Sequence, residues 1–519
     1  MKTLYLLVIL CLLPFVILSF FVHPSLDDLS IPISIRDFGT TRVELFTILM
    51  QNWNGRFTSN ILAVVSPLTF GSLTGYRLAL ALQLPALYFA LYFFLKRLLQ
   101  TAMFPKIQTH LLSAAVLLLY LNLLPDITET IYWLSGAKVY TWALIVQLVV
   151  AGLLLSMAEK ESTGKTLLIS GLIFILCGFN EIVLVINAFI VIGYFIWPFF
   201  RKAFRVTLSG NSPLARIPNS VDASSPSRHP VESKDLVFWS DHKAMLCASL
   251  SIHKILPMLS VVAAAIIVLT SPGNEGRLWH FPEGGHLGST VRIAGISGAK
   301  LLGVMMQNMP LILVGFLLFP NLKASLLHPM LRPIACLHPA IVAAIAFLFL
   351  FGAFAVPSWA MGINPPMRIY NFLVLYVMGF FLLFLFSLNS WMHDRKLQFY
   401  QPFGGAGKWV VVGLIFMAMA GDFHKEPGPE GPFTYRGNLA RVTSDLVLRA
   451  GPFNRAMHER KAKVSQLKAL GIQHVVVPPL INPPSSILFL DITYNPNHRI
   501  NLLQAAYYGI EKIEVKNDR

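Results

Sequence analysis

Charge is what this sequence has least of. Asp, Glu, Lys and Arg together make up 13% of its 519 residues, where a soluble chain of this length carries roughly a quarter. That shortage excludes an ordinary soluble globular protein. Acid is the scarcer sign, with 25 Asp and Glu against 41 Lys and Arg. The formal charge of +16 does not make this a nucleic-acid binder, because no basic motif with interleaved aromatics sits on a soluble module. Much of the excess lies in loops between apolar runs, where positive charge sets membrane topology, and some lies in the last hundred residues. Cysteine is also sparse. Cys11, Cys177, Cys247 and Cys336 form no CxxC pair, and three lie in or beside apolar runs, so a disulfide framework is not expected. Common catalytic signatures are missing as well. There is no HExxH and no GxSxG, and "GGAGK" at 404–408 lacks the first P-loop glycine and the hydroxyl residue after Lys408. No internal repeat is visible.

Apolar runs are abundant. The chain is 55% hydrophobic, its mean hydropathy is +0.63, and a bilayer core needs about twenty apolar residues per helix. The expected class is an α-helical polytopic membrane protein. The N-terminus, "MKTLYLLVILCLLPFVILSFFVHPS", has the charge and apolar stretch of a signal peptide. It lacks a small-residue cleavage site and is long enough to span, so it reads as an uncleaved first helix with Lys2 inside. Further spans are expected near 75–95, 108–125, 139–157, 253–270, 299–319, 339–355, 369–388 and 409–420. Residues 166–199 read as a tight pair of helices with Asn180 and Glu181 at its outer end. That makes about eleven spans within a membrane domain over 1–420. It includes a first outer loop at 23–74, with a short surface helix near 43–51, and a Ser, Pro and basic-rich cytoplasmic linker at 201–250. The remainder, 421–519, reads as a small extracytoplasmic α/β segment. "AMHERKAKVSQLKALG" is its helix, ending at Gly471, and "IQHVVVPP" and "SILFLDI" are its strands.

On this topology the outer face collects Asp27, Asp28, Arg56, Glu129, Lys138, Glu181, Glu275, Arg277, Arg292 and Arg368. Ionisable residues at membrane segments are costly and usually functional. Two adjacent carboxylates can divide a task, one taking a proton while the other orients a group or binds a metal. They can equally be a hydrophilic helix end. Guanidinium groups fork onto phosphate oxygens and stay charged at any relevant pH. A single interfacial arginine more often reaches for lipid phosphate, but several recur here on the side of the acid pair. Tyr132, Trp133 and Tyr140 in "YWLSGAKVY" suit an interfacial aromatic belt and also sugar faces. Asn180 and Glu181 in "GFNE" suit either an interhelical hydrogen bond or a site.

An acidic pair just after the first helix resembles the GT-C superfamily of membrane glycosyltransferases. The order of "DD", "NWNGRFTSN", "YWLSGAKVYTW", "GFNE", "SPGN..R", "PPMR" and "AAYYG" is similar to that of a bacterial family of DUF6056-type membrane proteins. Where that family places a tyrosine near its acids, this chain has "DDLSIP". The resemblance implies an inverting sugar transfer from a polyprenyl-phosphate donor to a glycan or lipid acceptor outside a bacterial inner membrane. The N-terminus would be cytoplasmic and the C-terminus extracytoplasmic. Asp27 or Asp28 would be the base. Arg277, Arg368 and Arg56 would hold the donor phosphate. Glu181, Asn180, Asn274, Trp133 and Tyr140 would contact substrate. A divalent cation, Mg or Mn, is used by some members, with Asp27 and Asp28 as its only candidate ligands here. The expected partners are membrane lipids, donor and acceptor, and no nucleic acid. Two other readings stay open: a transporter or flippase for a lipid-linked or anionic substrate, and an O-antigen-type polymerase or ligase.

Overall fold

The computed structural model describes residues 2–99, 106–209, 251–397, 405–420 and 437–516. It is a multi-pass helical membrane protein. Among the described residues seven helices are long and apolar enough to cross a bilayer, or up to eight if one bent pair counts as a span. In order they are α1 (Lys2–Leu18, continued by a 3₁₀ turn to Phe21), α5 (Leu73–Leu98), α6 (Lys106–Leu123), α7 (Leu134–Glu159), α10 (Ile252–Leu269), α14 (Pro339–Met361) and α15 (Met367–Asp394). In hydrocarbon every backbone group must be satisfied within its own segment, which is why these runs become helices. Buried amides can pair across helices, as Asn187 does with Gln147 on α7 at 2.9 Å.

Three further expected spans are shorter apolar helices: α8 (Thr163–Cys177), the start of α9 (Glu181–Ser209) and α16 (Gly405–Ala420). The span expected at 299–319 is instead broken. Helix α12 (Leu287–Met306) and α13 (Met309–Leu318) meet at 66°. The cause is local. Asn308 caps α13 by accepting from the Leu311 amide at 3.2 Å, and Pro310 in its first turn has no N–H to continue the ladder. Helix α9 also runs on to Ser209, so the first part of the expected linker is helical. Residues 210–250 lie outside the described residues.

The loops sort to two ends. One end gathers the segments around residues 22–72, 124–133, 178–181, 270–286 and 362–366. They bond to one another: the Thr58 amide donates to Gly178 O, Ser271 Oγ to Met50 O, and the Gly285 amide to Trp359 O. This end carries three short helices, α2 (Asp27–Phe38), α3 (Arg42–Asn52) and α4 (Phe57–Val64), and then α11 (Gly273–His280). The surface helix expected near 43–51 is α3, started by a reciprocal Thr41–Glu44 capping box. Close approach of loop to loop depends on two glycines. A Cβ on Gly55 would lie 2.3 Å from Val268 O, and one on Gly273 would lie 2.6 Å from the Asn54 amide nitrogen. We expect Gly273→Ala to destabilise the junction that positions Arg277. Thermal unfolding of the purified protein would check this.

The C-terminal residues return to the same end. Asn438, at the start of α17 (Asn438–Ser444), donates to Leu121 O and Leu124 O at 2.9 and 2.8 Å. A π-turn leads into α18 (Ala450–Ala469), which ends before Gly471 at φ +77°. Strands β1 (His474–Val477) and β2 (Lys512–Val515) pair in parallel through α19 (Arg499–Tyr508). The first expected strand is therefore β1, but "SILFLDI" is not a strand. Its residues form a strap across the membrane domain. Ser25 Oγ donates to Leu490 O at 2.8 Å, Thr128 Oγ1 to Ser486 O at 2.9 Å, and Phe489 stacks on Trp133 at 4.3 Å.

His23 anchors α18. Its Nε2 lies 2.9 Å from Asn454 Oδ1, and Arg77 donates to the same oxygen at 2.8 Å. The ring also meets Phe453 and His458 edge-on. Burial, reinforced by the Arg77 charge, pushes the His23 pKa down to about 3. A lowered histidine pKa means that the undocked state binds the proton more readily. Docking is therefore at full strength above about pH 6.5 and weakens as pH falls toward 3, by at most about 1.4 kcal/mol per pH unit. Protection of the α18 amides, corrected for the intrinsic exchange rate, should fall as pH drops from 7 to 5, and His23→Gln should flatten that dependence.

Candidate functional site

The acid pair opens α2, and its two members have different surroundings. Asp28 is buried. Its Oδ1 accepts from the Ser135 amide at 2.8 Å and from Ser135 Oγ at 2.6 Å, and its Oδ2 accepts from Tyr76 Oη at 2.7 Å. Burial pushes the Asp28 carboxyl up, while Ser135, Tyr76 and the nearby Lys138 oppose the shift. Asp27 is reachable, with 39% of its side chain exposed, and is held by Arg499 of α19 at 2.5 Å. A helix turns about 100° per residue, so neighbours cannot face the same way. Leu26, just before the pair, has φ +49° and ψ −118°. That is a strained conformation for a branched side chain, costing of order 1–3 kcal/mol. Lys138 is within electrostatic reach of both carboxylates.

The second group is built from cations. Arg56, at the start of α4, forks onto Glu181 with contacts of 3.0, 3.0 and 2.6 Å. Arg277, on α11, donates to the other side of the same carboxylate at 3.0 Å. All three side chains are 16–19% exposed. The Arg56 charge, then burial, then the charge of Arg368 push Arg277 below the ordinary arginine range, against the pull of Glu181. Arg368, at the start of α15, donates its amide to Glu129 at 3.0 Å and places its guanidinium 5.5 Å from the centre of the Trp133 ring. Three guanidinium groups thus share two carboxylates.

The first turns of helix α7 lie beside both groups. Ser135 and Lys138 lie on one side of it and Tyr140 on the other, by the periodicity of about 100° per residue. Tyr140 is within electrostatic reach of Arg56 and Arg277. Trp133 sits at the tip. Its Nε1 donates to Ser25 O at 3.2 Å, while its ring faces Arg368 and Phe489. A preceding π-turn, Thr128–Tyr132, carries Glu129.

Two candidate substrate contacts act on the backbone instead. Asn180 donates to Val139 O at 3.0 Å and caps α9 by accepting from the Val183 amide at 2.9 Å. Asn274 donates to Val268 O at 2.8 Å, closing the end of α10. Asn180 directly precedes Glu181, and Asn274 lies about one helical turn before Arg277 on α11. Tyr76, Phe489, Arg499 and Ser135 belong to the site without a signal in the local sequence, whereas Lys138 is one of the expected outer-face charges. A divalent cation does not fit the acid pair. Asp28 already accepts from three protein donors, Asp27 is bound to Arg499, and Lys138 supplies the local positive charge. Among the described residues no three His, Cys, Asp or Glu side chains come together as ligands. Comparison of the chain with protein-family models, with curated proteins and with solved structures finds no match.

Proposed function

We propose that this protein is a membrane glycosyltransferase of GT-C type. It moves a sugar from a polyprenyl-phosphate donor to a glycan or lipid acceptor on the extracytoplasmic side of a bacterial inner membrane. The N-terminus is then cytoplasmic, and the C-terminal α/β segment covers the outer face. Asp27 is the base. It takes the proton of the acceptor hydroxyl as that oxygen bonds to the sugar's anomeric carbon with inversion, and the carbon–oxygen bond to phosphate breaks with its electron pair on the phosphate. Arg277, Arg56 and Arg368 stabilise the charge that develops there. Asp28 acts through position, fixing the start of α2 on Ser135 and Tyr76. The observation that carries the reading is the crowding of Arg56 and Arg277 on Glu181. Two mutually repelling cations share one carboxylate, an arrangement that a phosphate relieves.

The test is transfer of a labelled sugar from a polyprenyl-phosphate donor by the purified protein. Arg277→Ala and Arg56→Ala should each lower the rate by about 10²-fold or more, with the fold retained. Wild-type rates in both variants overturn the phosphate assignment. A transporter would tolerate loss of the carboxylate at Asp27, whereas a base-dependent transferase would not.

A further inference from the structure

At the end opposite the acid pair, a cleft of about 370 Å³ opens between α13 on one side and α5, α6 and α15 on the other. Its walls are almost wholly Leu, Phe, Val and Met, and among the described residues its polar side chains are Gln108 and Asn321. Both lie at its outer rim, where α6 begins and α13 has just ended. From Gln108 to Leu119 on α6 the cleft rises about 16 Å, half of the roughly 30 Å hydrocarbon core. It is therefore as deep as one leaflet. Lys323 adjoins the lining residue Leu322 at this rim, while Arg97, next to Leu98, is paired with Glu159 at 3.7 Å. Lys323 is exposed, and its side chain makes no hydrogen bond or ion pair among the described residues. Gly379 faces the space, and a Cβ added there would meet nothing within 4 Å.

We infer that this cleft holds one acyl chain of an anionic phospholipid from the leaflet opposite the site, with its headgroup at Lys323, Gln108 and Asn321. Depth selects a leaflet-length chain. The one-sided polar rim selects the direction of entry, and the Lys323 ammonium beside it selects an anionic headgroup. The chain of a sugar donor would instead carry its phosphate to the other end of the bundle.

The full-length protein is reconstituted with phosphatidylglycerol bearing a photoactivatable acyl chain, or with phosphatidylcholine bearing the same chain, and adducts are mapped by mass spectrometry. Phosphatidylglycerol should label Leu112, Leu375 and Leu382 several-fold more than phosphatidylcholine does. Gly379→Phe should remove those adducts while leaving labelling of the outward-facing Leu82 and Phe89 unchanged. Lys323→Glu should erase the headgroup preference. Equal labelling by the two lipids, or labelling that survives Gly379→Phe, overturns the assignment. So does displacement of the label by excess polyprenyl phosphate, which would make the cleft a donor groove.

Discussion

Asp27→Asn should cut sugar transfer by about 10²–10⁴-fold, the usual contribution of a general base, and leave thermal unfolding nearly unchanged. Asp27 makes one exposed ion pair, with Arg499, and such pairs contribute about 0–1 kcal/mol. The neighbouring substitution should do the reverse. Asp28→Ala leaves the Ser135 amide, the Ser135 hydroxyl and the Tyr76 hydroxyl without their acceptor. Each buried orphan donor costs about 1–3 kcal/mol, so this variant should fail to accumulate or should melt early. Parallel measurement of expression, unfolding and transfer separates the two. If Asp27→Asn keeps full activity, Asp27 is not the base. Arg499→Ala gives an independent check, since it frees Asp27 without removing it and should preserve transfer.

The second large effect is at Glu181. Glu181→Gln removes the carboxylate that Arg56 and Arg277 share while keeping the side-chain shape. Breaking a buried ion pair by deleting one partner costs about 3–5 kcal/mol. With these side chains 16–19% exposed, the lower end of that range is expected. Inorganic phosphate should then stabilise the variant more than it stabilises wild type, because it supplies the lost negative charge to the same two guanidinium groups. Thermal unfolding with and without millimolar phosphate reads both effects. A variant that melts like wild type removes the network's structural role, and one indifferent to phosphate removes the anion site.

Much of the architecture was legible because composition controls it. Apolar length gives α1, α5, α6, α7, α10, α14 and α15, and Gly178 to Glu181 marked the elbow between α8 and α9. The broken span was legible in principle, since "NMP" at 308–310 is a cap followed by a proline, yet the apolar run concealed it. The strap at 485–491 reads as a strand because its apolar residues suit one. Their partners are Trp133, Ser25 and Thr128, which local pattern cannot reveal. The true second strand, "KIEV", carries only two apolar residues and is specified by its pairing with β1. The acid pair was visible, and so was its position after the first helix. What sequence concealed was the division of labour between the two aspartates, which follows only once α2 is known to begin at Asp27. Arg499 had no signal at all, because its ion pair depends on how the last eighty residues dock.

That pairing bears on biosynthesis. Asp27 and Arg499 are 472 positions apart in the chain, so the ribosome makes the acid near the start of translation and its counter-charge almost half a thousand codons later. Arg56 waits similarly for Glu181, 125 positions on. All the long apolar helices are inserted before Arg499 exists. A nascent or prematurely stopped chain would therefore be a fully membrane-integrated intermediate with an uncovered carboxylate, and its maturation is a late step that membrane insertion alone does not accomplish.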